Sequence, residues 1–133
     1  MKKRNGYTLF ELLVSISIIA ILTALATISY SAAQKKARDS RRVQDMDSIQ
    51  KAAEVYYSNN SYSYPADKNS FGSVLQIWPS DPKPAPWTQY RYTLTAGVYC
   101  ACAALDNLTG GNASDSDCTW AANSSYYCVK SQQ

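Results

Sequence analysis

Histidine is absent from the 133-residue chain, and with it go the commonest general base and the commonest metal ligand. Conventional catalytic triads and histidine-based zinc sites are excluded, and nothing in the residue inventory points to an enzyme. Charge is also sparse. Only 17% of positions are Asp, Glu, Lys or Arg, against about 25% in a typical globular protein, which argues against a disordered polyelectrolyte or a strong nucleic-acid binder. The formal net charge of +3 is too small to imply a polyanionic partner. Apolar residues, by contrast, fill 46% of positions while the mean hydropathy is only −0.32, so they must be concentrated. One domain with an appendage is the organisation to expect.

The concentration lies near the N-terminus. Residues 12–34 contain no charge, and as a helix they would extend about 35 Å, enough to cross a bilayer. Ser15, Ser17, Thr23, Thr27 and Ser29 interrupt the run, but hydroxyls bond back to carbonyls of the preceding turn and are tolerated in lipid. Ala20, Ala24 and Ala26 permit close helix approach. Residues 1–6 form a short basic run with Lys2, Lys3 and Arg4. A plain membrane anchor and a secretory signal peptide both fit this much, the latter with an apolar core at 12–22 and an A-x-A site at Ala24-Leu25-Ala26. Cleavage after Ala26 would release a secreted binding domain. The signal-peptide reading does not explain Glu11, an acid at the head of the apolar run, or the helical pattern that continues past position 34.

Gly6-Tyr7-Thr8-Leu9-Phe10-Glu11-Leu12-Leu13-Val14 resembles the processing site of type IV prepilins and type II secretion pseudopilins. The resemblance implies that a dedicated prepilin peptidase cuts between Gly6 and Tyr7 on the cytoplasmic face and that the new amine at Tyr7 is N-methylated. It also implies a homopolymeric filament, assembled from the cytoplasmic membrane by a platform protein and an ATPase. Such filaments serve adhesion, motility, DNA uptake or, as a periplasmic pseudopilus, type II secretion. The sequence departs from the pattern at Tyr7, usually phenylalanine, at Ala20, where many members carry glycine, and at Ile28, where many carry proline. Proline interrupts a helix, so melting of this helix in a filament is not expected.

A carboxylate within hydrocarbon costs a few kcal/mol on insertion scales and needs a partner. Removal of residues 1–6 supplies one by freeing the α-amine of Tyr7, whose ordinary pKa is about 8. In the family, one subunit's glutamate draws in the next subunit's amine, so Glu11 would set filament register. A purely local role, at the positive end of its own helix dipole, is worth about 0.3 to 1 kcal/mol. Cleavage would also remove three of 13 basic side chains, leaving 10 against 10 acidic ones. One consideration points the other way: Lys35, Lys36, Arg38, Arg41, Arg42 and Lys51 follow the span, and by the positive-inside rule alone the C-terminus would stay in the cytoplasm. The leader motif and the cysteines below outweigh it.

Residues 35–42 place charge all round a helix, with no buried face expected. Beyond them Val43, Met46, Ile49, Ala53, Tyr56 and Tyr57 fall within an arc of about 140°, a packing stripe. Lys35/Asp39, Arg41/Asp45 and Asp47/Lys51 are opposite charges at i,i+4. The interleaved acids favour a solvated face over a DNA-binding stripe, and no specific nucleic-acid site is identified. Asn59-Asn60-Ser61 before Tyr62-Ser63-Tyr64-Pro65 is a helix stop, giving one helix of about 50 residues that also resembles pilin-like subunits over 32–64.

Pro79, Pro82, Pro84 and Pro86, between Trp78 and Trp87, read as an ordered surface loop whose tryptophans pack on the helix, in preference to a proline-motif ligand. Strands are expected at 89–94, 98–104 and 126–130, with a turn at Thr95-Ala96-Gly97. So small a core benefits from staples. Cys100, Cys102, Cys118 and Cys128 allow three disulfide pairings; Cys100 with Cys128 and Cys102 with Cys118 is the favoured one. A four-thiolate zinc site lacks the usual spacing. Disulfides require a head outside the cytoplasm.

No cofactor is required, but Asp106, Asn107, Asn112, Asp115 and Asp117 are oxygen donors of the kind calcium takes, and secretion pseudopilins often hold calcium near their C-terminal loop. A glycine-rich polar turn is the default there. Asn59, Asn107, Asn112 and Asn123 match N-x-[ST], a frequent accident. The expected fold class is α+β and pilin-like: a leader at 1–6, a transmembrane and filament-core helix at 7–34, an amphipathic helix at 35–60, and a disulfide-stapled antiparallel head at 61–133.

Overall fold

A computed structural model describes residues 6–83 and 89–133. Pro84, Pro86 and Trp87 of the proline-rich stretch, and Lys2, Lys3 and Arg4 of the leader, lie outside the described residues. The chain forms two compact units that divide between Gln34 and Lys35. The helix α1, Leu9–Asn59, contributes to both.

In the first unit α1 carries an 18-residue window of mean hydropathy 2.4, none of it buried. Its apolar side chains, from Leu9 and Phe10 to Ile28 and Tyr30, are exposed all round, the pattern of a helix meant for lipid or for like helices. The hydroxyls do what a water-poor environment demands. Ser15 donates to Glu11 O at 2.7 Å, Ser17 to Leu13 O at 2.8 Å, Thr23 to Ile19 O at 2.9 Å and Thr27 to Ala24 O at 2.8 Å.

In the second unit α1 buries Met46, Ile49, Ala52 and Ala53, with Tyr57 packed against the same core. Met46, Ile49, Ala53 and Tyr57 are four of the six stripe residues and Ala52 joins them, whereas Val43 and Tyr56 are only half-buried. The helix ends at Asn59 because Ser61 and Tyr62 adopt left-handed backbone (φ 53° and 60°). The Tyr62 N–H then donates back to Tyr57 O at 3.1 Å, a Schellman-type closure.

The sheet has five antiparallel strands in the order β1-β2-β5-β3-β4: β1 Arg91–Thr95, β2 Val98–Ala104, β3 Gly111–Ala113, β4 Trp120–Ser124 and β5 Tyr126–Lys130. Strands β2 and β5 coincide with expected strands, β1 overlaps the one expected at 89–94 but takes in Thr95, and Ala96 and Gly97, both at positive φ, make the two-residue hairpin turn. Strand β3 falls within the 106–117 stretch that reads in the sequence as a polar turn, and β4 has no counterpart among the expected strands. Gly111 is needed there, since a Cβ would stand 2.0 Å from Tyr126 O.

The core between helix and sheet is aromatic. Tyr57 stacks on Tyr64 at 4.4 Å, Tyr64 meets Tyr99 edge-on at 4.9 Å, and Tyr99 stacks on Tyr92 at 5.7 Å. Trp78 packs against the core that holds Met46 and Ile49 of α1, its ring closing on Phe71 of the 3-10 helix Lys68–Ser73 at 5.2 Å and on Tyr92 of β1 at 5.9 Å. Together these features make the α+β, pilin-like architecture of a long helix whose second half lies on an antiparallel sheet.

Candidate functional site

The start of α1 is built by four consecutive residues. Thr8 is the cap: its Oγ1 accepts from the Glu11 N–H at 3.2 Å, while Glu11 Oε2 accepts from the Thr8 N–H and from Thr8 Oγ1, both at 2.9 Å. This is a reciprocal capping box. It spends one oxygen of Glu11. Among the described residues Oε1 takes no hydrogen bond, and Tyr7 beside it is almost fully exposed. A cut between Gly6 and Tyr7 would leave every atom of the box in place, because the Thr8 amide remains a peptide N–H. The sequence reading missed Thr8, although the signal, Thr-x-x-Glu ahead of an apolar run, stands in the open.

The second assembly of charge lies at residues 38–42, where no buried face was expected. The structure overturns that: Arg42 is 3% exposed. Its Nε and Nη2 grip both oxygens of Asp81 at 2.7 and 2.9 Å, and Nη1 reaches Asp39 at 2.9 Å and Asp106 at 3.3 Å. Arg38 pairs with Asp106 at 2.7 Å and Lys83 also pairs with Asp106. Asp39 caps the loop after β2 by accepting the N–H groups of Asp106 and Asn107 at 2.8 and 2.9 Å. Among the described residues Asp39 thus serves Arg42 rather than Lys35. Three cations face three anions. Burial pushes the Asp106 carboxyl up, but the hydrogen bonds from Lys83 and Arg38 and the charge of Arg42 outweigh it and hold it at about 2. The Asp81 hydrogen bond, against burial, raises the Arg42 guanidinium further above its ordinary range. Nearby, burial and a 2.7 Å bond to Asp45 raise the Tyr90 phenol.

The cysteines form two disulfides, Cys100–Cys118 and Cys102–Cys128, which corrects the favoured pairing of Cys100 with Cys128 and Cys102 with Cys118. Register is the reason. Cys102 stands directly opposite Cys128 across β2 and β5, with Cα atoms 4.1 Å apart, whereas Cys100 faces Lys130. With all four sulfurs bonded, the four-thiolate zinc reading has no ligands.

The calcium candidates are not brought together. Asp106 sits among the cations just described. Asn112 bridges to β5, its Oδ1 accepting from Cys128 N at 2.7 Å and its Nδ2 donating to Cys128 O at 2.9 Å. Asp115 Oδ1 accepts the Asp117 and Thr119 N–H groups at 2.9 and 3.2 Å, and Asp117 pairs with Arg91 at 2.8 Å. Asn107 holds Thr109. Each of these side chains has at least one atom engaged in the fold, and among the described residues the acidic ones form no cluster of three.

Comparison with known proteins agrees with the motif. Residues 1–27 match the family described as the prokaryotic N-terminal methylation motif. The chain is 41% identical over 64 residues to the type IV wide pilus major component PilA4 of Thermus thermophilus, covering 47% of this chain and 49% of that protein. It is 25% identical over 91 residues to the type II secretion system core protein G of Dickeya chrysanthemi, covering 68% of this chain and 59% of that one. Against the core protein G of Vibrio cholerae the identity is 27% over 92 residues, or 69% and 62%. The chain therefore spans about half to three-fifths of the length of the curated relatives it matches. The relatives it matches thus include a type IV pilus component and type II secretion core proteins, and its N-terminus carries the prokaryotic methylation motif.

Proposed function

We propose that this chain is a prepilin-like structural subunit, held in the cytoplasmic membrane by residues 7–34, cleaved after Gly6, N-methylated at Tyr7 and polymerised through its apolar helix. The observation that carries the reading is Glu11: an acid at the head of an unburied apolar helix, inside a matched methylation motif, with one oxygen spent on the cap and the other uncommitted among the described residues. The free amine of a neighbouring subunit's Tyr7 is the cation that completes it. Prepilin peptidase, the assembly platform and its ATPase follow as partners, with the head outside the cytoplasm.

Two measurements test this. The mass of the N-terminal peptide of the exported protein should be that of a chain starting at Tyr7 with one added methyl; a start at Thr27 would sink the proposal in favour of a secreted domain. Glu11→Gln keeps an acceptor for the Thr8 N–H and so keeps the cap, but loses the charge. It should insert normally and fail to assemble. Filaments of normal yield from Glu11→Gln would show that the carboxylate serves only its own helix.

The core protein G relatives cover more of this chain than the pilus component does, which favours a secretion pseudopilus as the second reading. The engaged oxygen donors of the 106–117 loop weigh against it, given the calcium expected of secretion pseudopilins. Deleting the gene separates them: loss of surface filaments supports the pilus, and loss of enzyme export with filaments intact supports the pseudopilus.

A further inference from the structure

The two disulfides are not independent. Cys102 Sγ, bonded to Cys128, lies 3.5 Å from Cys100 Sγ and 3.7 Å from Cys118 Sγ, the two ends of the other bridge. The cause is the strand geometry already described. Cys100 and Cys102 are two residues apart on β2 and so share a face, Cys128 is opposite Cys102, and Cys118, at positive φ (61°), turns back onto the same spot. The accessibility is graded: Cys100 and Cys118 are half-buried, whereas Cys102 and Cys128 are 2% exposed.

We propose that this sulfur cluster is a thiol–disulfide exchange site, with Cys100–Cys118 as the bond an external dithiol attacks and Cys102 as the hub through which the change passes to buried Cys128. A dithiol reduces Cys100–Cys118 and leaves as its own disulfide, giving thiols at Cys100 and Cys118. The Cys118 thiolate, in contact with Cys102 Sγ, then attacks it. A Cys102–Cys118 bond forms, the Cys102–Cys128 bond breaks, and the electron pair leaves on Cys128. Solvent supplies the proton, and the new Cys128 thiol donates to the Asp115 carbonyl, 3.6 Å from its sulfur. Exchange rates depend on which sulfur is attacked and on access to it, and here access is built in. The alternative route, Cys100 onto Cys102, joins residues i and i+2 of a strand, whose Cα atoms lie about 6.6 Å apart, near the upper limit for a disulfide. Cys118 is therefore the productive nucleophile. The consequence is that a reductant acting at the surface unlinks β5 from β2, and that the pairing Cys102–Cys118 formed during oxidation can convert to the native one without an isomerase. The inference is independent of the filament reading.

The test uses the full chain in detergent. Limiting dithiothreitol is added at pH 8, the reaction is quenched by alkylation, and labelled cysteines are mapped by mass spectrometry after Asp-N and chymotrypsin cleavage. The expected two-thiol species are labelled at Cys100 with Cys118 and, increasingly with time, at Cys100 with Cys128. Label confined to Cys100 and Cys118 at all times would overturn the relay, and first reduction at Cys102–Cys128 would overturn the assigned point of attack. Cys100→Ser gives a second arm that needs no reductant. Its single thiol should distribute between Cys118 and Cys128 independently of protein concentration; a thiol that stays on Cys118 refutes the exchange.

Discussion

Arg42 shows how much a single residue can carry where charge alone is ambiguous. Its side chain and that of Asp81 are 4% and 1% exposed, so neither can be left without the other. Removing one partner of a buried pair costs about 3–5 kcal/mol. Arg42→Ala should lower unfolding stability by that amount in denaturant titration of the full chain in detergent, whereas Arg42→Met combined with Asp81→Leu should recover most of the loss, because the buried Asp81 carboxylate goes with the guanidinium, Asp106 keeps Arg38 and Lys83, and Asp39 keeps the Asp106 and Asn107 N–H groups. Asp106 gives the same cluster a pH signature. Its carboxyl is held at about 2 against an ordinary 3.8, so the folded state binds protons more weakly than the unfolded one. That stability, up to about 2 kcal/mol, is present above pH 4 and lost as pH falls through 2. Asp106→Asn should flatten the acid limb of the stability profile between pH 4 and 2; an unchanged limb would mean another carboxylate dominates it.

At the scale of elements, the long helix is secured at its start by a cap and the sheet by a glycine. Thr8→Ala should cost about 1 kcal/mol of local helix stability, seen as faster amide exchange over residues 9–12 with the remainder of α1 unchanged. Gly111→Ala should cost about 3 kcal/mol, the upper end of the usual overpacking range, since backbone rather than a flexible side chain occupies the space a Cβ would need. The helix, its hydroxyl back-bonds and β1, β2 and β5 were legible because periodicity and β-branched or aromatic alternation are local signals. Strands β3 and β4 were not. Gly111-Asn112-Ala113 is too short and too poor in strand formers to announce itself, and it exists because β5 and the Asn112 bridge to Cys128 hold it. The buried Arg42 was hidden for a related reason: its partner Asp81 is 39 residues away, and a window centred on the helix sees only charge. The disulfide pairing needed the β2–β5 register, which no count of cysteines contains.

For the molecule as a whole, the opposing signals are the six basic residues that follow the span and the four cysteines that require an oxidising compartment. The structure sharpens the contest. All four cysteines are bonded, and their loops span 18 and 26 residues, each worth about 3 kcal/mol in the chain-entropy view. A head of this size retained in the cytoplasm would lack both staples. With the head outside, as proposed, orientation rests on the three cations of the leader, Lys2, Lys3 and Arg4, acting with the motif that follows them. Replacing all three with glutamine removes that anchor while leaving Gly6, Tyr7 and Glu11 untouched. The variant should invert or stall, keeping its head with the reducing side. Alkylation of whole-cell extracts under denaturing, non-reducing conditions reads this directly: no reactive thiols per chain in the native sequence, and four in the leader variant. A leader variant that still acquires both disulfides would show that the apolar helix and Glu11 orient the chain without help from the basic run.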